Sequence, residues 1–231
     1  MKGIAIIPAY NEKDSIVKTV NDVLCNAPQF DYIIINDCSK DNTMDVCEYN
    51  DFNVLNLPIN LGIGGAVQTG YLYAYKNGYD VAVQFDGDGQ HDASYLGQMV
   101  DTMIAEQADL VIGSRFIEKK GFQSSGLRRA GIRYFTWLIR RLSGVVITDP
   151  TSGMRLCNRE TMKLFANDYP RDYPEPESTM RLIRNKRKVV EIPVTMKSRE
   201  EGISSISSVK HVVYYMVKVS IAIIIERLRS D

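Results

Sequence analysis

The sequence predicts an α/β domain, a mainly parallel sheet with helices on both faces, closed by a C-terminal amphipathic helix. Three observations carry that reading. Short continuous apolar runs such as Gly3-Ile4-Ala5-Ile6-Ile7 and Tyr32-Ile33-Ile34-Ile35 suit strands covered on both sides, because a strand with one wet face alternates apolar and polar residues. These runs alternate with helical patterns, giving a β-α-β-α-β start, and alternation of that kind argues for parallel strands with helices packed on each face. Polar clusters at 8–12, 36–43 and 86–91 each follow a strand, and ligands of such sheets bind at the carboxyl ends of the strands.

Composition sets the frame. The chain has 231 residues, 45% hydrophobic and 24% charged, enough for one large globular domain or a domain with an appendage. Net charge is zero but unevenly spread: residues 1–60 hold nine Asp/Glu against four Lys/Arg, and residues 115–141 hold eight Lys/Arg against one Glu. Different partners are therefore expected at the two ends of the chain. Cysteines 25, 38, 47 and 157 form no CxxC pair and have no metal-ligand spacing, so free thiols in a reducing compartment are expected. Met1-Lys2-Gly3-Ile4 leads into a strand without an apolar signal segment, which favours a cytosolic protein.

In chain order, the first strand stops at Pro8-Ala9-Tyr10-Asn11-Glu12, and a helix is expected from Lys13 to Leu24, with Ile16, Val20, Val23 and Leu24 on its apolar face. The second strand closes on Asn36-Asp37-Cys38-Ser39-Lys40-Asp41-Asn42-Thr43. A helix over Thr43–Tyr49 and a third strand at Asn53–Leu57 follow. Asn60-Leu61-Gly62-Ile63-Gly64-Gly65-Ala66 then leads into a helix through Tyr75. Glycines before a helix can offer backbone N–H groups to phosphate, or allow only a tight turn with close packing. The run lacks the Lys-Ser/Thr of a P-loop.

The fourth strand, Tyr79–Phe85, ends at Asp86-Gly87-Asp88-Gly89-Gln90-His91. In extended backbone, carboxylates two apart point the same way, so Asp86 and Asp88 can grip one ion. Such a pair suits a hard divalent cation, Mg²⁺ or Mn²⁺, that also binds phosphate oxygens; an acidic turn fits the same residues. A helix over Tyr95–Ile104 and a strand over Asp109–Gly113 follow. From Gly126 to Ser143 a helical projection gathers Arg129, Arg133 and Arg140 in one sector, with Leu127, Ala130, Tyr134, Leu138 and Leu142 opposite. The arginines form a solvated face or an anion-binding one. No nucleic-acid module accompanies them, and a lipid head-group phosphate fits better. A helix is expected over Arg159–Phe165, and Tyr173-Pro174-Glu175-Pro176-Glu177 precedes a basic helix at 178–188. Pro176 and Glu177 there read as a helix start, with an acid near the positive dipole end, or else Glu177 orients an arginine or touches the acceptor. Val189–Val194 is an extended piece.

Six motifs, namely 8–12, 36–43, 60–66, 86–91, Gly113-Ser114-Arg115-Phe116 and Thr151-Ser152-Gly153-Met154-Arg155, stand in the order found in family 2 glycosyltransferases. Residues 3–205 resemble the dolichol-phosphate mannosyltransferase-like group in particular. The resemblance implies a GT-A fold with a Rossmann-like sheet, a divalent metal (Mg²⁺ or Mn²⁺) and inversion at the anomeric carbon. It implies that Pro8, Tyr10, Glu12 and Asp37 line the nucleoside pocket, that Asp86, Asp88 and Gln90 surround the metal and diphosphate, and that Gly64 and Arg199 also touch the donor. Asp88, Arg115 and Arg129, with Arg133 nearby, would carry the transfer. Two departures stand out: Asn36 occupies the place of the family's first acid after the second strand, leaving the nucleoside contact to Asp37, and Ser205 replaces a lysine after Arg199.

The implied reaction moves a sugar from a nucleotide-diphosphate sugar, UDP-sugar favoured over GDP-mannose, to an undecaprenyl- or dolichyl-type polyprenyl phosphate for cell-surface polysaccharide or glycoconjugate synthesis. Residues 1–205 would form the catalytic domain, with nucleotide-binding (1–115) and acceptor-binding (116–205) halves. A same-fold enzyme with a saccharide hydroxyl acceptor and a non-catalytic nucleotide-sugar-binding subunit are the alternatives. A hydroxyl needs a base; a phosphate monoester, with a second pKa of about 6, is already an anion and needs arginines. The chain has arginines at 115, 128, 129, 133 and 199, and after the acidic site only Glu175 and Glu177 stand out as unassigned carboxylates.

Residues 206–231 are expected to form the amphipathic helix. His211, Tyr215, Lys218, Glu226 and Arg229 make a polar stripe on an otherwise apolar surface. Val209 to Ile225 spans about 25 Å, short for crossing a bilayer and suited to its interface, with Lys218 and Arg229 facing anionic head groups. Peripheral attachment on the inner membrane face is therefore expected, against docking on an integral membrane partner, on a second copy or on its own core.

Overall fold

A computed structural model describes residues 1–120, 126–197 and 209–229. Its strands are β1 (Gly3–Ala9), β2 (Phe30–Asn36), β3 (Val54–Asn56), β4 (Val81–Gln84), β5 (Leu110–Ser114), β6 (Arg155–Asn158) and β7 (Val189–Pro193). Its helices are α1 (Ile16–Asn26), α2 (Thr43–Tyr49), α3 (Gly62–Lys76), α4 (Leu96–Glu106), α5 (Gly126–Ser143), α6 (Arg159–Asn167), α7 (Pro174–Arg184) and α8 (Val209–Leu228). The strands make one sheet in the order β3-β2-β1-β4-β6-β5-β7, so the expected α/β architecture stands.

Alternation along the buried strands divides the core. Ile4, Ile6, Ile33, Ile35, Leu110 and Ile112 face one side, where α3, α5, α6, α7 and α8 pack. Ala5, Ile7, Ile34, Val83 and Val111 face the other, against α1 and α4. That two-sided burial is why these strands read as unbroken apolar runs.

Every strand is parallel to its neighbours except β6, which pairs antiparallel with β4 and β5. Sequence reading missed β6: four residues, Arg155-Leu156-Cys157-Asn158, give no periodicity, and a fully buried arginine is the reverse of a strand signal. Arg155 is satisfied by neutral groups, Nε donating to the Ser152 carbonyl at 3.0 Å and Nη1 to Ser178 Oγ at 2.8 Å. Two boundaries also differ. Residues 13–15 form a turn ahead of α1. The helix expected at 178–188 is α7, which starts at Pro174 with Glu175 and Glu177 in its first turn, as a proline-led N-terminus with acids favours.

The larger correction concerns α8. Its polar stripe lies along the domain and is engaged there: Lys218 Nζ lies 2.6 Å from Asp172 Oδ2, and Arg229 Nη1 lies 3.8 Å from both Asp168 Oδ2 and Glu226 Oε2. Tyr215 packs edge-on against Phe135 and Tyr173. Glu226, 2% exposed, accepts from Arg181 Nε at 3.2 Å. The stripe pairs with the buried Arg181 of α7 and with Asp168 and Asp172 at the surface of the loop before it, while Val219 and Ile223 enter the main core. Among the described residues no helix is long and apolar enough to cross a membrane.

Removing one partner of a buried ion pair costs about 3–5 kcal/mol, so Glu226→Ala is expected at the low end of that range, because Arg181 keeps Asp168 3.0 Å away. Leu228→Ser, at a residue 77% exposed, is expected to stay within about 0.5 kcal/mol of wild type. Urea unfolding of the two variants checks the docking of α8; equal, small losses would mean that α8 is not held to the domain.

Candidate active site

The carboxyl ends of β1, β2, β3 and β4 lie side by side on one edge, and hydrogen bonds stitch their loops together. Asp37 N donates to the Ala9 carbonyl at 2.9 Å and Gly87 N to the Pro8 carbonyl at 3.3 Å. Asn11, at a left-handed φ of 58°, accepts from Lys40 N at 2.8 Å on Oδ1, and Glu12 N donates to Thr43 Oγ1 at 2.9 Å. The 8–12 and 36–43 clusters therefore form one wall. Pro8 is buried in β1, Tyr10 is 41% exposed at the rim and Glu12 is partly buried. Asp37, 3% exposed, accepts from Leu61 N at 2.7 Å. Burial pushes its carboxyl above the ordinary aspartate value, against the pull of the Leu61 and Gly62 N–H groups.

Gly64 sits elsewhere than the phosphate reading expected. It lies within α3, its N–H donates to the Arg171 carbonyl at 3.1 Å, and an added Cβ would lie 2.1 Å from the Pro170 carbonyl oxygen. Close helix packing explains this glycine.

Beyond β4 the backbone leaves extended geometry and turns at Gly87-Asp88, so the extended alternation that the sequence suggested for Asp86 and Asp88 does not hold. Both are partly buried. Asp86 Oδ1 accepts from Gln84 Nε2 at 3.1 Å, and its backbone N–H donates to His91 Nδ1 at 3.1 Å. Asp88 Oδ1 accepts from Gln90 N at 3.1 Å, while Gln90 Nε2 donates to the Lys197 carbonyl at 3.2 Å. The Thr151–Arg155 motif completes the cradle: a Cβ on Gly153 would sit 2.3 Å from Asp86 Oδ2. Only a residue without a side chain leaves that carboxylate in place.

Arg115 also stands in a setting other than the one expected. It is 7% exposed, and its fork grips Asp149, Nε to Oδ2 and Nη2 to Oδ1 at 2.7 Å each, with Nη2 3.1 Å from Thr151 Oγ1. Burial alone would lower its pKa; the Asp149 hydrogen bonds and charge raise it on balance. Arg115 thus anchors the loop that carries Gly153. Arg129 and Arg133 are exposed on α5, and Arg199 lies outside the described residues.

One carboxyl was left without a role by the sequence. Glu175, in the first turn of α7, lies 3.5 Å from Gln84 Nε2 through Oε1, so a single buried amide spans Glu175 and Asp86. Burial first, then the Asp86 charge, lift its pKa above the usual glutamate value, with Arg155 opposing. The helix start at Pro174 fixes Glu175 in the first turn of α7, but its nearness to Gln84 comes from packing and has no sequence signal.

Among the described residues no three His, Cys, Asp or Glu side chains gather tightly enough to cage a metal. The oxygen donors of Asp86 and Asp88, one of them held against a glycine, are of the kind a hard divalent ion takes.

Residues 4–165 match the family described as glycosyl transferase family 2. The chain is 31% identical over 216 residues to undecaprenyl-phosphate mannosyltransferase from Micrococcus luteus, covering 90% of this chain and 88% of that protein. It is 32% identical over 212 residues to UDP-N-acetylglucosamine–dolichyl-phosphate N-acetylglucosaminyltransferase from Methanococcus voltae, covering 82% and 83%. In fold it is similar to glucosyl-3-phosphoglycerate synthase from Mycobacterium tuberculosis, crystallised with Mn²⁺, UDP and phosphoglyceric acid. That similarity has a TM-score of 0.74 at 17% identity and covers all of this chain and 80% of the other.

A glutamate whose pKa is raised in the folded state contributes stability that is complete below its unfolded value, about 4.3, and is lost as pH rises through the folded value. Glu175→Gln has no proton to lose. Its melting temperature is expected to gain on that of wild type as pH goes from 4 to 8 in ligand-free protein, by differential scanning fluorimetry. A difference that stays flat with pH would place Glu175 in water.

Proposed function

The chain belongs to glycosyl transferase family 2, and from that premise we propose that it moves a sugar from a nucleotide-diphosphate donor to a polyprenyl phosphate at the inner face of the membrane. A UDP-sugar is the favoured donor. Residues 1–115 bind it, and residues 116–205 bind the acceptor. The observation that carries the reading is the Asp86 and Asp88 pair at the carboxyl edge of the sheet, with Gly153 closed onto Asp86. The relatives' names, a transferase acting on undecaprenyl phosphate and one acting on dolichyl phosphate, support the acceptor class.

In the mechanism, Pro8, Tyr10, Glu12 and Asp37 line the nucleoside pocket, where the buried Asp37 carboxylate accepts from the donor. Asp86 and Asp88, with Gln90 beside them, would hold a divalent cation, Mg²⁺ or Mn²⁺, whose chemistry there would be to offset the charge of the diphosphate leaving group. Gln84 and Gly153 keep the Asp86 carboxylate from turning away. Arg115 acts through Asp149, as a positioning residue for the Gly153 loop. Arg129 and Arg133 on α5 hold the acceptor phosphate so that one of its oxygens lies in line with the anomeric carbon. That oxygen bonds to the anomeric carbon as the bond to the β-phosphate oxygen breaks, and the electron pair leaves with the nucleoside diphosphate. The configuration inverts. No proton needs to be removed from the attacking oxygen, because a phosphate monoester at neutral pH is already an anion.

Nucleoside-diphosphate release from a panel of UDP- and GDP-sugars, with and without a short polyprenyl phosphate, tests the reading. Release is expected only with that acceptor, and Asp88→Asn is expected to lower it beyond the roughly 10–100-fold that loss of an outer supporting group costs a metal site. Release driven by a saccharide in its place would overturn the acceptor. Near-normal turnover by Asp88→Asn would overturn the metal and diphosphate assignment.

A further inference from the structure

With its polar stripe engaged along the domain, α8 leaves an apolar face uncovered. Val213, Tyr214, Val217, Ile221, Ile225 and Leu228 are each 51–77% exposed. At 100° per residue they fall in an arc of about 120°, running about 23 Å along the helix. The only acid on α8, Glu226, is buried on the opposite side. An exposed apolar patch of this size marks an interaction site.

The patch continues onto α5. Ser220 Oγ donates to Tyr134 OH at 3.2 Å, and Arg227 Nε donates to the Leu142 carbonyl at 2.9 Å, so the two helices lie together along this surface. Tyr134 is 37% and Trp137 57% exposed, with ring centroids 5.9 Å apart. Further round α5 come Arg129, Arg133 and Arg140, exposed and without a carboxylate partner among the described residues. Neither helix offers an outward acid; α5 has none in its sequence. The order across the surface is apolar, then aromatic, then cationic.

That order selects among occupants. A protein partner or a second copy buried on the apolar face would leave the arginine row to be matched by acids placed alongside. A bilayer supplies all three layers at once: acyl chains for the apolar face, the interfacial zone where Trp and Tyr concentrate, and anionic phosphates for arginine.

We propose that the outward face of α8, with Tyr134 and Trp137, is the surface by which the protein lies on an anionic lipid bilayer, α8 in the interface plane and the α5 arginines at phosphate depth. This deepens the acceptor reading, since Arg129 and Arg133 would then meet a lipid phosphate at its own depth. The contact itself needs neither donor nor acceptor. It also replaces the orientation expected from sequence, in which Lys218 and Arg229 met the head groups.

Trp137 is the only tryptophan of the chain, so the unmodified protein reports on the surface. With vesicles of phosphatidylcholine and phosphatidylglycerol, the emission is expected to shift to the blue and to be quenched by lipids brominated in the acyl chains; pure phosphatidylcholine should act weakly, and salt should reverse part of the effect. In flotation, wild type should rise with the anionic vesicles, and Trp137→Ala/Ile221→Ser/Ile225→Ser should lose at least about tenfold in partitioning while keeping its release of nucleoside diphosphate with a short soluble acceptor. Unshifted emission, or wild type staying at the bottom with anionic vesicles, overturns the proposal. So does a blue shift that grows with protein concentration without lipid, alongside a dimer mass in light scattering, which would make the face a subunit interface. Flotation without release on any polyprenyl phosphate would leave the surface standing and remove the acceptor reading alone.

Discussion

The close approach of Gly153 to the Asp86 carboxylate is the constraint on which the site depends, and it follows from one reversed strand. In an all-parallel sheet only strand ends reach the carboxyl edge. Because β6 runs antiparallel between β4 and β5, with Gln84 opposite Arg155, the loop that precedes it arrives at that edge. Asp86 lies two residues beyond Gln84 and Gly153 two residues before Arg155, so the register itself sets carboxylate against glycine. A side chain at 153 would need the space that Asp86 Oδ2 occupies.

Buried polar contacts hold that register. Asp149 takes the Arg115 fork on its side chain, and the N–H groups of Thr148 and Asp149 donate to Glu191 on β7 at 2.7 and 2.8 Å. Ser152 Oγ donates to the Gly113 carbonyl at 2.6 Å. Each of these groups would cost on the order of 1–3 kcal/mol if left buried and unpaired, so the loop has few alternative conformations. Residues of two family motifs therefore serve the frame of the edge. Arg115 and Arg155 stabilise the frame that carries Gly153, and Gln84 connects the frame to Asp86 and Glu175.

The fold was legible because its signals are local: two-sided burial writes unbroken apolar runs, and parallel topology gathers the polar clusters that follow them. The identity of Asp37, Asp86 and Asp88 as an edge cluster came from the same logic. What sequence could not give was partnership. Gly64 reads alike whether its N–H meets a phosphate or the Arg171 carbonyl, and Arg115 reads as a free cation until Asp149 is folded against it. The α8 stripe of Lys218, Glu226 and Arg229 defines a polar side, but only Asp172, Arg181 and Asp168 reveal that this side faces the protein. β6 escaped because four residues around a buried arginine carry no periodic pattern, and Glu175 because its nearness to Gln84 is created by α7 packing.

Gly153 keeps the Asp86 carboxylate where, with Asp88, it would hold a cation and diphosphate. Electron paramagnetic resonance of Mn²⁺ titrated into the protein with UDP tests it most directly in wild type and Gly153→Ala. Wild type is expected to retain about one Mn²⁺ per chain when UDP is present, and Gly153→Ala to bind it at least about tenfold more weakly, at an unchanged melting temperature, because the flexible Asp86 side chain gives way and the fold does not. Equal Mn²⁺ retention by the two proteins would contradict it.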